Sequence, residues 1–183
     1  MKLKKFLEEH NIEAMLISSK YSLRYFTGFT GTTGIALAFA EKRFFFTDFR
    51  YVTQAKKEVE PNGFTVVKVE RGAVDALAEY IKNSGIKKLG IEDKYVTLAE
   101  YVVYKEKFEE IGFVTLGEAL DKLRMIKTEE EIRYIKKAVE IGDKVFEYIL
   151  DKVKEGAVEK DLAAEMEFQM KKLGGEGPSF ETI

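Results

Sequence analysis

Apolar residues recur along this chain with two periods. Leu3, Phe6 and Leu7 share one helical face, and Asn11 follows as a left-handed cap. Short apolar runs come next: EAMLIS (13–18), GIALAFA (34–40) and RFFFTD (43–48) read as strands. The last two form a hairpin turned at Glu41-Lys42. DFRYVTQAKKEV (48–59) reads as a helix capped by Asp48 and stopped before Pro61-Asn62-Gly63. The alternation then continues. FTVVKV (64–69), KKLGIE (87–92) and FVTL (113–116) are strands. Between them lie AVDALAEYIKNSG (73–85), a helix closed by Gly85, and TLAEYVVYKEKFEEIG (97–112), a helix with a Thr97/Glu100 capping box. Strands alternating with amphipathic helices predict an α/β layered domain.

The pattern changes near Leu120. TEEEIRYIKKAVEIGDKVFEYILDKVKEG (128–156) predicts a long helix with a Thr128/Glu131 capping box. Its stripe of Ile132, Ile135, Val139, Val145, Phe146 and Ile149 runs to a stop at Gly156. VEKDLAAEMEFQMKKLGG (158–175) predicts another amphipathic helix, and EGPSFETI (176–183) a turn entering a strand. Two domains are expected, 1–122 and 123–183. The final strand either opens an unfinished sheet or adds an edge to the first domain.

The composition is that of a globular protein, 45% hydrophobic and 34% charged over 183 residues. A net charge of −2 offers no basic stripe for nucleic acid. No apolar run approaches the roughly 20 residues that span a bilayer. Cysteine is absent, which excludes disulfides, thiolate metal sites and a Cys nucleophile, and suits a cytoplasmic location. A Lys/Glu bias with few amide side chains leans towards heat adaptation.

TGFTGTTG (27–34) suggests a phosphate cradle, but its spacing is GxxGxxG and β-type residues follow it. It fits neither a Walker loop nor a dinucleotide fingerprint, which must open a helix. His10 is the sole histidine and stands between Glu9 and Asn11 without a nucleophile elbow. Glu129–Glu131 occupy the first turn of a helix, where negative charge meets the positive end of the dipole. The residues alone favour a binding or assembly module and show no reactive centre.

Four segments nevertheless resemble one family in its own order. LRYFTGFTGTTGIALAF is similar to an RYLTGF-G segment, and FFFTDFRY to a strand followed by T-D-x-R-Y. KLRMIKTEEEIRYIKKAVEIGDKVFEYI is similar to R-x-I-K-(S/T)-x-x-E-I-x-x-I-x-x-A. GAVEKDLAAEMEFQMKKLGGEGPSFETI is similar to a G-x-T-E-x-D-L-A-x-E helix followed by a G-x-S-F-x-T-I strand. Together they resemble the Xaa-Pro metallopeptidases, aminopeptidase P and prolidase, of the creatinase or pita-bread superfamily.

The resemblance implies a non-catalytic N-terminal domain over 1–122, with a central mixed sheet flanked by helices. Residues 123–183 would be the first two helices and first strand of a metal-binding domain. Two divalent metals (Mn, Co or Zn) would sit in the parent protein on two Asp, one His and two Glu beyond the SFxTI strand. No catalytic or metal-ligating residue carries over to this chain, which is expected to be inert. A homo-oligomer and a proline-containing peptide substrate are implied for the parent. Phe180 is a candidate wall of the substrate pocket, or plain core. Tyr25, Phe29 and Thr30 are candidates for an interface or for a loop reaching a partner's active site. A creatine-amidinohydrolase-like enzyme and a non-catalytic binding relative are the alternatives. The two C-terminal helices, lacking a sheet, should expose an apolar stripe that docks on the first domain or on another chain.

Overall fold

A computed structural model describes residues 3–70 and 72–182. Contacts divide the chain into two units, Met1–Leu123 and Arg124–Ile183.

In the first unit α1 (Leu3–Glu9) buries Leu3, Phe6 and Leu7 and ends at Asn11, whose φ of 52° provides the expected left-handed cap. It is followed by β1 (Ala14–Ile17), α2 (Lys20–Thr27), β2 (Ile35–Phe39), β3 (Arg43–Thr47) and α3 (Val52–Val59). A short 3₁₀ turn over Glu60–Asn62 leads to β4 (Thr65–Lys68), α4 (Ala73–Ser84), β5 (Lys88–Ile91), α5 (Leu98–Lys107), β6 (Gly112–Thr115) and α6 (Gly117–Met125). The six strands form one mixed sheet in the order β4-β3-β2-β1-β5-β6. β2 is antiparallel to β3, as the hairpin reading required, and also to β1, and the remaining pairs are parallel.

Both faces of the sheet are covered. Met15, Ile17, Ala36, Ala38 and Phe45 pack with residues of α1, α2, α3 and α6 on one side. Ala14, Leu16, Leu37, Phe46 and Leu89 pack with α4 and α5 on the other. Central β1 is therefore buried at all four positions, whereas edge strands β4 and β6 are only half-covered. Each large side chain buried here contributes about 1.5–3 kcal/mol.

Two helices of this unit were not expected from the apolar pattern. α2 is capped by Ser19, whose side chain accepts the Ser22 N–H, and by left-handed Gly28. α6 begins at Gly117, whose N–H is held by the Asp93 carboxylate at 2.8 Å. Asp48 does not cap α3: Tyr51 stands at that position, and Asp48 instead accepts the Arg50 N–H within the preceding turn.

The second unit is described by itself. α7 (Glu129–Leu150) carries the predicted Thr128/Glu131 capping box and packs on α8 (Glu159–Lys172). α7 stops at Leu150, not at Gly156, so residues 151–156 of the expected helix are a connection. Val145 and Ile149 are buried, and Tyr148 donates a 2.6 Å hydrogen bond to Glu165 of α8. The expected strand at 179–183 is not formed over residues 179–182, and Ile183 lies outside the described residues.

Candidate functional site

The best-defined polar surface of the first unit surrounds α2 and the loop after it. Gly28 ends α2 at φ 76°, a conformation that a side chain disfavours. Gly34, at the far end of the loop, passes so close to the Phe45 ring that a Cβ there would collide with it. These needs account for two of the three regularly spaced glycines without any phosphate.

The loop between them is pinned by a set of side-chain hydrogen bonds. Thr27 donates its hydroxyl to the Leu23 carbonyl at 2.6 Å and accepts the Phe29 N–H at 3.1 Å. Thr30 donates both its N–H and its hydroxyl to Glu58, each at 2.8 Å, and Gln54 donates to the Thr30 hydroxyl at 2.9 Å. Asn62 donates to the carbonyls of Thr27 and Glu58, both at 3.0 Å. Thr32 and Tyr51 share a 2.6 Å hydroxyl contact, and Thr47 donates to the Thr33 carbonyl at 2.6 Å. Burial pushes the Glu58 carboxyl up, but the bonds from Thr30 and Gln54 and the charge of Arg24 outweigh it. The net shift is downward, so Glu58 holds the loop as a carboxylate.

Beside this loop lies the Asp48–Tyr51 turn. Arg50 grips Asp48 through Nε at 3.0 Å and a second guanidinium nitrogen at 2.7 Å, and its cation sits over the Tyr51 ring. The side-chain bond from Arg50 draws the Asp48 carboxyl below its ordinary range. Phe49, between them, is 74% exposed.

Phe29 is a core residue, 2% exposed, its ring tilted against Phe45 and edge-on to Tyr51. Its ring therefore supports the loop from below. Tyr25 and Thr30 reach solvent in the same segment, and Tyr25 also donates to the Leu123 carbonyl at 3.3 Å. Phe180 belongs to the second unit, in an irregular stretch, and is 74% exposed. Glu58 and Phe49 complete the first surface but were not singled out from sequence. Nothing local distinguishes Glu58 from its neighbours, while Phe49 stood inside the T-D-x-R-Y resemblance.

The arrangement is suited to recognition. A groove of about 640 Å³ near α1 and α6 collects Glu9, His10, Asp93, Glu118 and Lys122. His10 donates from Nδ1 to the Phe6 carbonyl at 2.9 Å and lies against the Phe6 ring, a structural role. Among the described residues no group of three or more His, Cys, Asp or Glu is placed to hold a metal ion.

Comparison with known proteins gives two family matches. The Creatinase/Prolidase N-terminal domain matches residues 1–126, and Metallopeptidase family M24 matches residues 133–183. The chain is 37% identical over its whole length to an uncharacterised peptidase of Bacillus subtilis, covering 51% of it. It is 34% identical to an Xaa-Pro dipeptidase of Pyrococcus furiosus, covering 50% of that protein. A solved Xaa-Pro dipeptidase from Bacillus anthracis superposes with a TM-score of 0.90 at 36% identity, over 98% of this chain and 50% of that one. The chain thus spans about half the length of each of these three relatives.

Proposed function

Since the chain belongs to the creatinase/prolidase N-terminal domain family, we propose that it is the N-terminal half of an Xaa-Pro peptidase. The observation that carries this reading is the match to half of a solved Xaa-Pro dipeptidase, with a TM-score of 0.90. Both units take part in it, since 98% of the chain is covered.

On this reading the divalent metals and the water they activate belong to the other half of the parent protein. This half contributes shape: a rigid first domain that presents Tyr25, Thr30 and Phe49 for subunit pairing or for contact with a partner's active site. Phe180 would line the pocket once the metal-binding half surrounds it, and the helices α7 and α8 would find there the apolar surface they lack. The parent would act in the cytoplasm as a homo-oligomer on peptides carrying proline after the scissile bond.

The test uses the 183-residue chain beside the same chain extended to the length of its relatives. The extended protein should hydrolyse Xaa-Pro dipeptides or longer Xaa-Pro peptides when supplied with Mn²⁺ or Co²⁺. The 183-residue chain should show no turnover and no stoichiometric micromolar metal binding by calorimetry. Tight, stoichiometric metal binding by the short chain, or an extended protein inactive on every Xaa-Pro peptide, would overturn the proposal.

A further inference from the structure

The sheet reverses its direction of growth between β1 and β5. From β1 the chain builds outward through β2, β3 and β4, and from β5 it builds the other way to β6. β1 and β5 are parallel neighbours, so the segments leaving their C-terminal ends part at a crevice. In open α/β sheets such a crevice is where ligands bind, and a helix N-terminus beside it offers backbone N–H groups to an anion.

In this chain the crevice lies between Ser18-Ser19, which lead from β1 into α2, and Glu92, the first residue after β5. The Glu92 carboxylate fills it. One oxygen accepts the N–H groups of Ser18 at 2.7 Å and Ser19 at 2.9 Å, and the other accepts the Ser19 hydroxyl at 2.9 Å. Ser19 Oγ in turn accepts the Ser22 N–H at 3.1 Å, so one carboxylate orders the whole first turn of α2. Glu92 is 1% exposed, and its three donors come from residues more than seventy positions earlier in the chain. A buried carboxylate is tolerated only when its lone pairs are used in this way.

We propose that the crevice is an anion site of the carboxylate class whose ligand is the chain's own Glu92. The side chain takes the place that a phosphate or acidic ligand occupies in other open α/β sheets. It closes the switch point and fastens α2, together with the loop that follows it, to β5. Emptying the crevice by shortening Glu92 creates a site for a small monocarboxylate.

The experiment compares the wild-type chain with Glu92→Ala in formate and in chloride at equal ionic strength. Thermal midpoint and the amide resonances of Ser18 and Ser19 are followed. The variant should lose several degrees, and formate should recover at least half of the loss, saturably. Three heavy atoms of ligand limit the response to about millimolar concentration. Wild type should not respond. Equal responses of variant and wild type, or recovery by chloride as large as by formate, would overturn the proposal. If Glu92→Ala does not fold, refolding yield against formate concentration is the readout, and a yield independent of formate overturns it. Glu92→Gln keeps the volume and can turn its amide oxygen to both N–H groups, but it loses the charge and sets its NH₂ against the Ser19 hydroxyl, which can then no longer donate there. It should shift both serine amides and ignore formate; a variant with wild-type stability and resonances would refute the carboxylate assignment.

Discussion

The two units handle apolar surface in opposite ways. The first wraps helices over both faces of its sheet and buries β1 at every position. The second places two helices side by side and leaves Tyr134, Ile135, Val139, Phe146, Val153 and Phe168 exposed. Helical periodicity is as strong in α7 as in any helix of the first unit, so amphipathicity alone does not separate them. What separates them is the supply of partners. A sheet offers two faces for helices to cover, whereas a pair of helices can only shield the strip between them.

The largest effect that can break this contrast comes from matched truncations of phenylalanine. Phe45 is fully buried against Phe29, and Phe45→Ala should cost about 3–5 kcal/mol in chemical denaturation. Phe146 is 59% exposed on α7, and Phe146→Ala should change stability by no more than about 0.5 kcal/mol. Equal losses would mean that α7 is covered in solution.

A smaller effect is expected at alkaline pH. Burial, with the charge of Glu100 nearby, pushes the Tyr104 hydroxyl up to about 12, against about 10 in an unfolded chain. The folded state therefore favours the neutral phenol. Its contribution is complete below pH about 10 and is lost as pH rises towards 12, a fall of about 3 kcal/mol. Denaturation midpoints across that window should drop for wild type and stay flatter for Tyr104→Phe.

The smallest effect concerns helix starts. α5 and α7 carry the same capping box, from Thr97 and Thr128. Each Thr→Ala change should cost its helix about 1 kcal/mol. For Thr97→Ala the loss should appear in global unfolding, because α5 is fastened to the sheet. For Thr128→Ala it should appear as faster hydrogen exchange confined to the first turns of α7. A global loss from Thr128→Ala would show that the two units unfold together.

Much of this architecture could be read along the chain. The β2–β3 hairpin, both capping boxes and the left-handed Asn11 depend on residues close in sequence, and all were legible there. α2 was not, because its buried face includes Ser22 and Thr27, which interrupt the apolar period. Ser19 and Gly28 mark its two ends and were the available signals. α6 begins on a contact with Asp93, 24 residues earlier, which no local window contains. Asp48 has the chemistry of a cap, but Arg50 two residues on competes for it and wins with two guanidinium bonds. Residues 179–182 have strand character yet form no strand, because a strand's hydrogen bonds must come from a neighbouring backbone. A helix such as α8 supplies its own.

At the candidate surface the loop's location was legible and its construction was not. The T-G-F and T-D-x-R-Y segments frame this loop, and within it Tyr25 and Thr30 reach solvent. Phe29 points inward instead, because the loop folds back over Phe45 and Tyr51. Glu58 became visible only when α3 brought it to Thr30, 28 residues away in the chain.

By itself, then, the sequence determined what short-range chemistry controls: an α/β alternation, a helical tail, where most elements start and stop, and the family resemblance. Tertiary structure alone decided the strand order, the inward turn of Phe29, the clamp of Glu58 on Thr30 and the placement of Glu92 at the sheet's switch point. The physical reason is the same in each case. A buried polar group or aromatic ring is held by whichever partner the fold delivers, and those partners lie tens of residues away.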